Sequence, residues 1–225
     1  MQIKRIIPNS LTCANLLCGS VSVFMATQEQ FLWAFAFIIA GAIFDFFDGA
    51  SARWLKVPSP LGVQLDSLAD DITFGLAPAM ALMCYLKPII GWWALIALLI
   101  AAFSALRLAK FNIDERQATS FIGLATPANA IFWLGTAYAY QSLLATISPW
   151  CILGAVLLSS YLLVCELPMF SFKFHNFRWA DNRIRYIFLI GAIVFAVCLF
   201  RQSLPIIILW YILLSIVGVI AVKRK

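Results

Sequence analysis

Charge is what this chain has least of. Only 12% of its 225 residues are Asp, Glu, Lys or Arg, 64% are hydrophobic, and the mean hydropathy is +0.95. A soluble domain is about a quarter charged, and a chain of this length cannot hide such an apolar excess in one core. Histidine occurs once, as His175, with no second His or Cys near it, which makes it a poor metal ligand. The six cysteines form no CxxC and no pairing pattern, so they read as small hydrophobes in helices rather than redox or metal groups. The apolar stretch after Lys4 and Arg5 lacks a small-x-small cleavage site, so the N-terminus reads as a first permanent span.

What the chain does have is apolar segments of 17 residues or more, the length a helix needs to cross a bilayer. Hydropathy places eight of them, at about 10–27, 31–53, 64–86, 91–111, 127–146, 149–165, 184–200 and 204–222. Of sixteen Lys and Arg, all but Lys87 and Arg201 then fall on one side. That asymmetry puts both termini in the cytoplasm and fits an even number of spans. The expected fold is a single all-α polytopic domain over 1–225, in the cytoplasmic membrane. The net charge of +6 belongs to loops facing an anionic leaflet rather than to nucleic acid binding. The basic segment from Lys173 to Arg185 reads the same way, as a leaflet-facing anchor. No internal repeat is apparent.

Ten acids exist in the chain, and five lie between positions 45 and 71. Asp45 and Asp48 are three apart at the end of the second apolar segment. Asp66 and Asp70 are four apart at the start of the third, and Asp71 follows directly. These spacings put each pair on one helical face, and adjacent antiparallel helices can bring the two faces together. Four carboxylates at a poorly hydrated membrane edge repel one another unless a counter-charge is present. Hard divalent cations such as Mg²⁺, Mn²⁺ or Ca²⁺ suit that role. Taken singly, each acid reads equally well as a helix-end residue satisfied by Arg53, Lys56 or water. Taken together they point to function, because intramembrane acids are expensive. A cation transporter would place acids at the midplane and on both sides, whereas here they gather at one face. Gly49, Ala52 and Gly62 leave room for a phosphate close to the backbone, and Arg53 offers a planar donor fork for its oxygens.

The string Asp45-x-x-Asp48-Gly49-x-x-Ala52-Arg53, eight residues, Gly62-x-x-x-Asp66-x-x-x-Asp70 resembles the complete signature of the CDP-alcohol phosphotransferase family. At roughly one residue in twenty for each type, a chance match is on the order of 10⁻¹⁰ per start site. Further segments are similar to the serine-using, integral-membrane branch of that family: Ile7–Thr12, Asn15–Gly19, Leu65–Asp70, Thr73–Ala79, Arg107–Asn112 and Phe121–Ala128. The similarity covers about 5–130, and 131–225 would complete the helix bundle. Ala125 and Asn129 depart from the branch pattern, and Asp71 is an addition to the signature.

The resemblance implies transfer of a phosphatidyl group from CDP-diacylglycerol to L-serine, giving phosphatidylserine and CMP, within the membrane phospholipid. It implies Asp70 as the base. Asp45, Asp48 and Asp66 would bind metal, with Asp70 close enough to contribute, holding Mg²⁺ or Mn²⁺, two ions per site. Gly49, Ala52 and Arg53 would line the CDP site, with both the site and the protein's termini at the cytoplasmic face. Thr12 and Asn15 either touch the nucleotide or bridge helices. Arg107, helped by Lys110 and Asn112, either grips the serine carboxylate or anchors its helix by snorkelling. Lys110 and Arg116 also read as ordinary positive-inside anchors. A homodimer is expected by the same resemblance. Another acceptor, glycerol 3-phosphate or inositol phosphate, stays open, since Arg107, Lys110 and Arg116 could receive a second phosphate.

Overall fold

The computed structural model describes residues 2–114, 121–170 and 178–223. His175, Arg116 and Lys173 lie outside the described residues. The described chain is almost wholly helical. Helix α1 (Gln2–Thr27) is followed by α2 (Phe31–Trp54) and α3 (Pro60–Asp70), which runs through a π-helical segment (Asp71–Leu76) into α4 (Ala77–Ile90). A 3₁₀ stretch (Gly91–Leu98) leads into α5 (Leu99–Ile113). Then come β1 (Phe121–Ile122), α6 (Thr126–Ala139), α7 (Gln141–Thr146), α8 (Pro149–Val164) and β2 (Pro168–Met169). The chain closes with α9 (Trp179–Leu199), a short 3₁₀ turn and α10 (Ser203–Lys223).

Each of the eight apolar segments is helical over most of its length. Four stretches are long and apolar enough to cross a bilayer: Lys4–Thr27, Phe31–Trp54, Pro60–Ile113 and Asn182–Val219. Pro149–Val164 is a shorter apolar helix. The chain is therefore a helical, multi-pass type of membrane protein. Large apolar side chains such as Leu17, Phe46, Leu106, Leu158 and Val197 stand exposed on its flanks, as a lipid-facing surface requires.

Boundaries differ from the hydropathy reading where local chemistry overrides apolarity. Helix α3 begins at Pro60 rather than at about 64. Ser59, extended at φ −143°, accepts a 3.0 Å hydrogen bond from the Gly62 amide, and Pro60 fits the first helical position. The segment 127–146 is two helices, because Tyr140 leaves helical geometry (φ −125°, ψ 33°). Helix α9 starts at Trp179, with a kink at Asn182.

Packing near the N-terminus relies on small residues. One core cluster joins Ala26, Ala34 and Ile38 to Phe74, Ala77 and Leu134, so α1, α2, the π-helical segment, α4 and α6 share one interior. Ser22 donates to the Ala34 carbonyl at 2.8 Å and ties α1 to α2. Gly19 is required where α1 crosses the π-helical segment: a β-carbon there would lie 2.7 Å from the Thr73 Cα. A second cluster, around Leu82, Leu86, Ile100, Trp133 and Val156, packs α4, α5, α6 and α8. Gly123 sits at φ +75° with its would-be β-carbon 2.7 Å from the Leu163 carbonyl. There β1 pairs antiparallel with β2, and the Leu124 amide donates to the Leu162 carbonyl of α8 at 2.8 Å.

Candidate active site

Helix α1 packs against both α2 and α3, so the two short acid motifs meet beside it. The turn between α2 and α3 is tight: Lys56 takes φ +55° and Ser59 restarts the helix. One carboxylate oxygen each from Asp45, Asp48 and Asp66 lies within 4.8 Å of the others. Asp48 is buried, and its Oδ2, like Oδ1 of Asp66, makes no hydrogen bond. Carboxylate oxygens buried without donors are costly. Two such oxygens within a group of three converging carboxylates suit a hard divalent cation, and the residues fit one.

An open cleft of about 140 Å³ adjoins this trio, lined in part by Thr12, Asp48, Gly49, Ala52, Gly62 and Asp66. The Thr12 hydroxyl lies beside Asp48 and donates to the Pro8 carbonyl at 3.0 Å. Arg53 is exposed and folds back over Gly49, where a β-carbon would approach its Nη1 to 3.3 Å. The small residues of the signature thus form the floor of the cleft, and its arginine overhangs one of them.

Asp70 stands slightly apart from the trio. It is buried, and it lies within electrostatic reach of Asp45, Asp66 and Asp48. Its Oδ1 accepts a 3.0 Å hydrogen bond from the Asn15 side-chain amide. Asn15 is fully buried and is held in turn by Thr73, whose hydroxyl donates to the Asn15 carbonyl at 3.0 Å. Of the two readings of Asn15, the structure brings out the helix-bridging one, with an acid as its partner, and Asn15 does not line the cleft.

The residues read for the acceptor separate. Arg107 is buried, with its guanidinium near Asp70 and Tyr211 and 5.9 Å from the Phe111 ring centre. Lys110 pairs with Glu166 at 3.6 Å, and Asn112 donates to the Ser67 hydroxyl at 2.8 Å. Only Arg107 of the three is buried.

The sequence that builds this site has counterparts among known proteins. Residues 5–170 match the CDP-alcohol phosphatidyltransferase family. The chain belongs to that family. Its members are phosphotransferases, and this member is 36% identical over 172 residues to the CDP-diacylglycerol–serine O-phosphatidyltransferase of Bacillus subtilis, covering 75% of this chain and 92% of the relative. It is 37% identical over 127 residues to the Helicobacter pylori (strain 26695) protein of the same name, covering 55% of this chain and 54% of that one. With the Methanocaldococcus jannaschii protein of that name the identity is 32% over 150 residues, 64% of this chain and 69% of the relative.

Several polar residues at this phosphatidyltransferase's centre carry no signal in the signature. Thr73 and Ser104 are fully buried, and Asn129 is buried with neither end of its amide hydrogen-bonded. A polar residue inside an apolar helix was the available cue, and only burial distinguishes these from polar residues that line a lipid-facing groove.

Proposed function

We propose that the chain transfers the phosphatidyl group of CDP-diacylglycerol to the hydroxyl of L-serine, releasing CMP. The observation that carries this reading is the convergence of Asp45, Asp48 and Asp66 within 4.8 Å at a cleft floored by Gly49 and Ala52. The names of the similar proteins support serine as the acceptor.

In this reading Gly49, Ala52 and Arg53 receive the CDP diphosphate, with Thr12 at its edge. Asp45, Asp48 and Asp66 hold divalent cations, Mg²⁺ or Mn²⁺ and two per site, with Asp70 near enough to share one. Such ions would neutralise the diphosphate and the departing CMP. Asp70 takes the proton from the serine hydroxyl, which is a weak nucleophile at neutral pH. The freed oxygen forms a bond to the phosphorus bearing diacylglycerol, and the bond from that phosphorus to the CMP oxygen breaks. Asn15 keeps the Asp70 carboxylate turned toward the acceptor. Arg107 receives the serine carboxylate, and Lys110 and Asn112, tethered to Glu166 and Ser67, close the outer end of the pocket. The protein acts as a homodimer with eight spans, both termini and the active site being at the cytoplasmic face of the membrane.

The test is CMP release from CDP-diacylglycerol in detergent or liposomes with Mn²⁺ or Mg²⁺, comparing L-serine, glycerol 3-phosphate, inositol phosphate and no acceptor. Release that depends on serine and metal, and is lost in Asp70→Asn, is expected. Release with a different alcohol would overturn the choice of serine.

A further inference from the structure

Helix α10 lies outside the residues that match the family, which end at 170, yet one of its side chains reaches the centre of the site. The helix packs against α6 and β2. That places Tyr211 against the cluster of Leu124, Leu163 and Met169, where Phe103 of α5 also packs. Phe103 and Arg107 are four apart on α5 and share one face of it. Tyr211 therefore arrives beside the guanidinium, and the two side chains lie within electrostatic reach of one another.

The tyrosine is fixed from two sides. Its ring centre lies 4.8 Å from that of Phe170 and 5.9 Å from that of Phe188 of α9, and those two rings are 5.6 Å apart. Its hydroxyl donates to the Phe170 carbonyl at 3.1 Å. A phenol has a single proton to give, so its oxygen keeps only lone pairs for other neighbours. A guanidinium has only donors. With its proton committed to Phe170, the phenol oxygen is complementary to Arg107.

On its other side Arg107 has Asp70, the residue that the proposed reaction uses as base. The guanidinium and that carboxylate form no ion pair among the described residues. A closed pair would occupy the oxygens that must take the serine proton, and the donors that must take the serine carboxylate.

We propose that Tyr211 is a positioning residue for the acceptor, holding Arg107 back from Asp70 so that its donors stay open to the carboxylate of an amino acid. This rests on the proposed function and deepens it, because it brings α10 into serine recognition. Tyr211 acts through Arg107 and contacts neither the substrate nor the reacting atoms.

The test is steady-state CMP release by the full-length enzyme in detergent, with serine and CDP-diacylglycerol varied in turn. Tyr211→Phe keeps the ring and removes the oxygen. It is expected to raise the serine KM about 5–20-fold and to leave the KM for CDP-diacylglycerol within about twofold. In the Arg107→Ala background the same change should raise the serine KM no further, because the group it acts through is gone. Should Tyr211→Phe not fold, Tyr211→Trp carries the same expectations, since an indole N–H can donate to a carbonyl but offers no lone pair to a guanidinium. An unchanged serine KM in a folded variant, an equal rise in both KM values, or the same fold-loss with and without Arg107 would overturn the role of Tyr211 and leave the serine reaction standing. Wild-type enzyme that releases CMP with another alcohol and not with serine would overturn both.

Discussion

Asn15 of α1 and Asp70 of α3, both buried and 55 positions apart in the chain, are joined by a 3.0 Å hydrogen bond. The donor has no freedom to swing away, because Thr73 holds the Asn15 carbonyl and Gly41 lies close to its side-chain oxygen. A carboxylate held this way keeps one orientation, as the role of base proposed for Asp70 requires. Asn15→Ala is therefore expected to lower kcat about 10–100-fold with little change in the KM for CDP-diacylglycerol. Steady-state kinetics on the detergent-solubilised variant checks this, and an equal rise in KM would show that Asn15 binds nucleotide instead.

Replacing any one of Asp45, Asp48 or Asp66 with Asn removes a carboxylate from a group spanning less than 4.8 Å. Each variant should lose at least about 10³-fold in activity, an electrostatic loss of about 4 kcal/mol. Treatment of the wild type with a chelator should abolish CMP release, and added Mn²⁺ or Mg²⁺ should restore it. Restoration by metal in the wild type but not in the Asn variants ties the requirement to these three residues.

Arg107, Lys110 and Asn112 lie on one helix but in different surroundings. Arg107→Ala empties a buried position and should raise the serine KM at least 100-fold. Lys110 is 38% exposed and its partner Glu166 66%, so their pairing contributes no more than about 1 kcal/mol. Lys110→Ala and Asn112→Ala should each shift the serine KM only about two- to fivefold. A loss in Lys110→Ala as large as in Arg107→Ala would move the carboxylate contact to the outer residue.

Gly19→Ala tests the crossing of α1 with the π-helical segment. The new β-carbon would meet backbone at Thr73, which cannot turn aside as a side chain end would. Overpacking of this kind costs about 1–3 kcal/mol, and for a chain of this size about 2–4 °C per kcal/mol. The melting temperature in detergent should fall by roughly 2–12 °C. Because Thr73 also supports Asn15, kcat should fall with it.

Much of the site was legible because the chemistry uses few residue types at fixed spacing along two short helices. Asp45, Asp48 and Asp66 are rare charges in apolar sequence, and their periodicity places them on facing surfaces. The eight apolar segments were legible as helices for a related reason, since a bilayer leaves the backbone few alternatives. Asn15 stood out in the sequence as a polar residue on an apolar helix, yet its partner Asp70 was out of reach, because pairing across 55 positions depends on how helices cross. Arg107 already stood out in the sequence as the main candidate for the serine carboxylate, but that it alone of Arg107, Lys110 and Asn112 is buried could be seen only in the structure. The break at Tyr140 and the early start at Pro60 are set by single backbone angles and one cap, which hydropathy does not register.

The π-helical segment also has a consequence for the phase of everything after it. The helix from Pro60 to Ile90 keeps α1 as a neighbour along its length and meets α5 and α6 as well, and the wide turn over Asp71–Leu76 accommodates both sets of contacts. Removing one residue there, Ile72 for example, would regularise the hydrogen bonding and rotate Thr73, Gly75 and all of α4 by about 100°. The locally more ordinary helix would then be the one in which the two sides of the site no longer face a common centre.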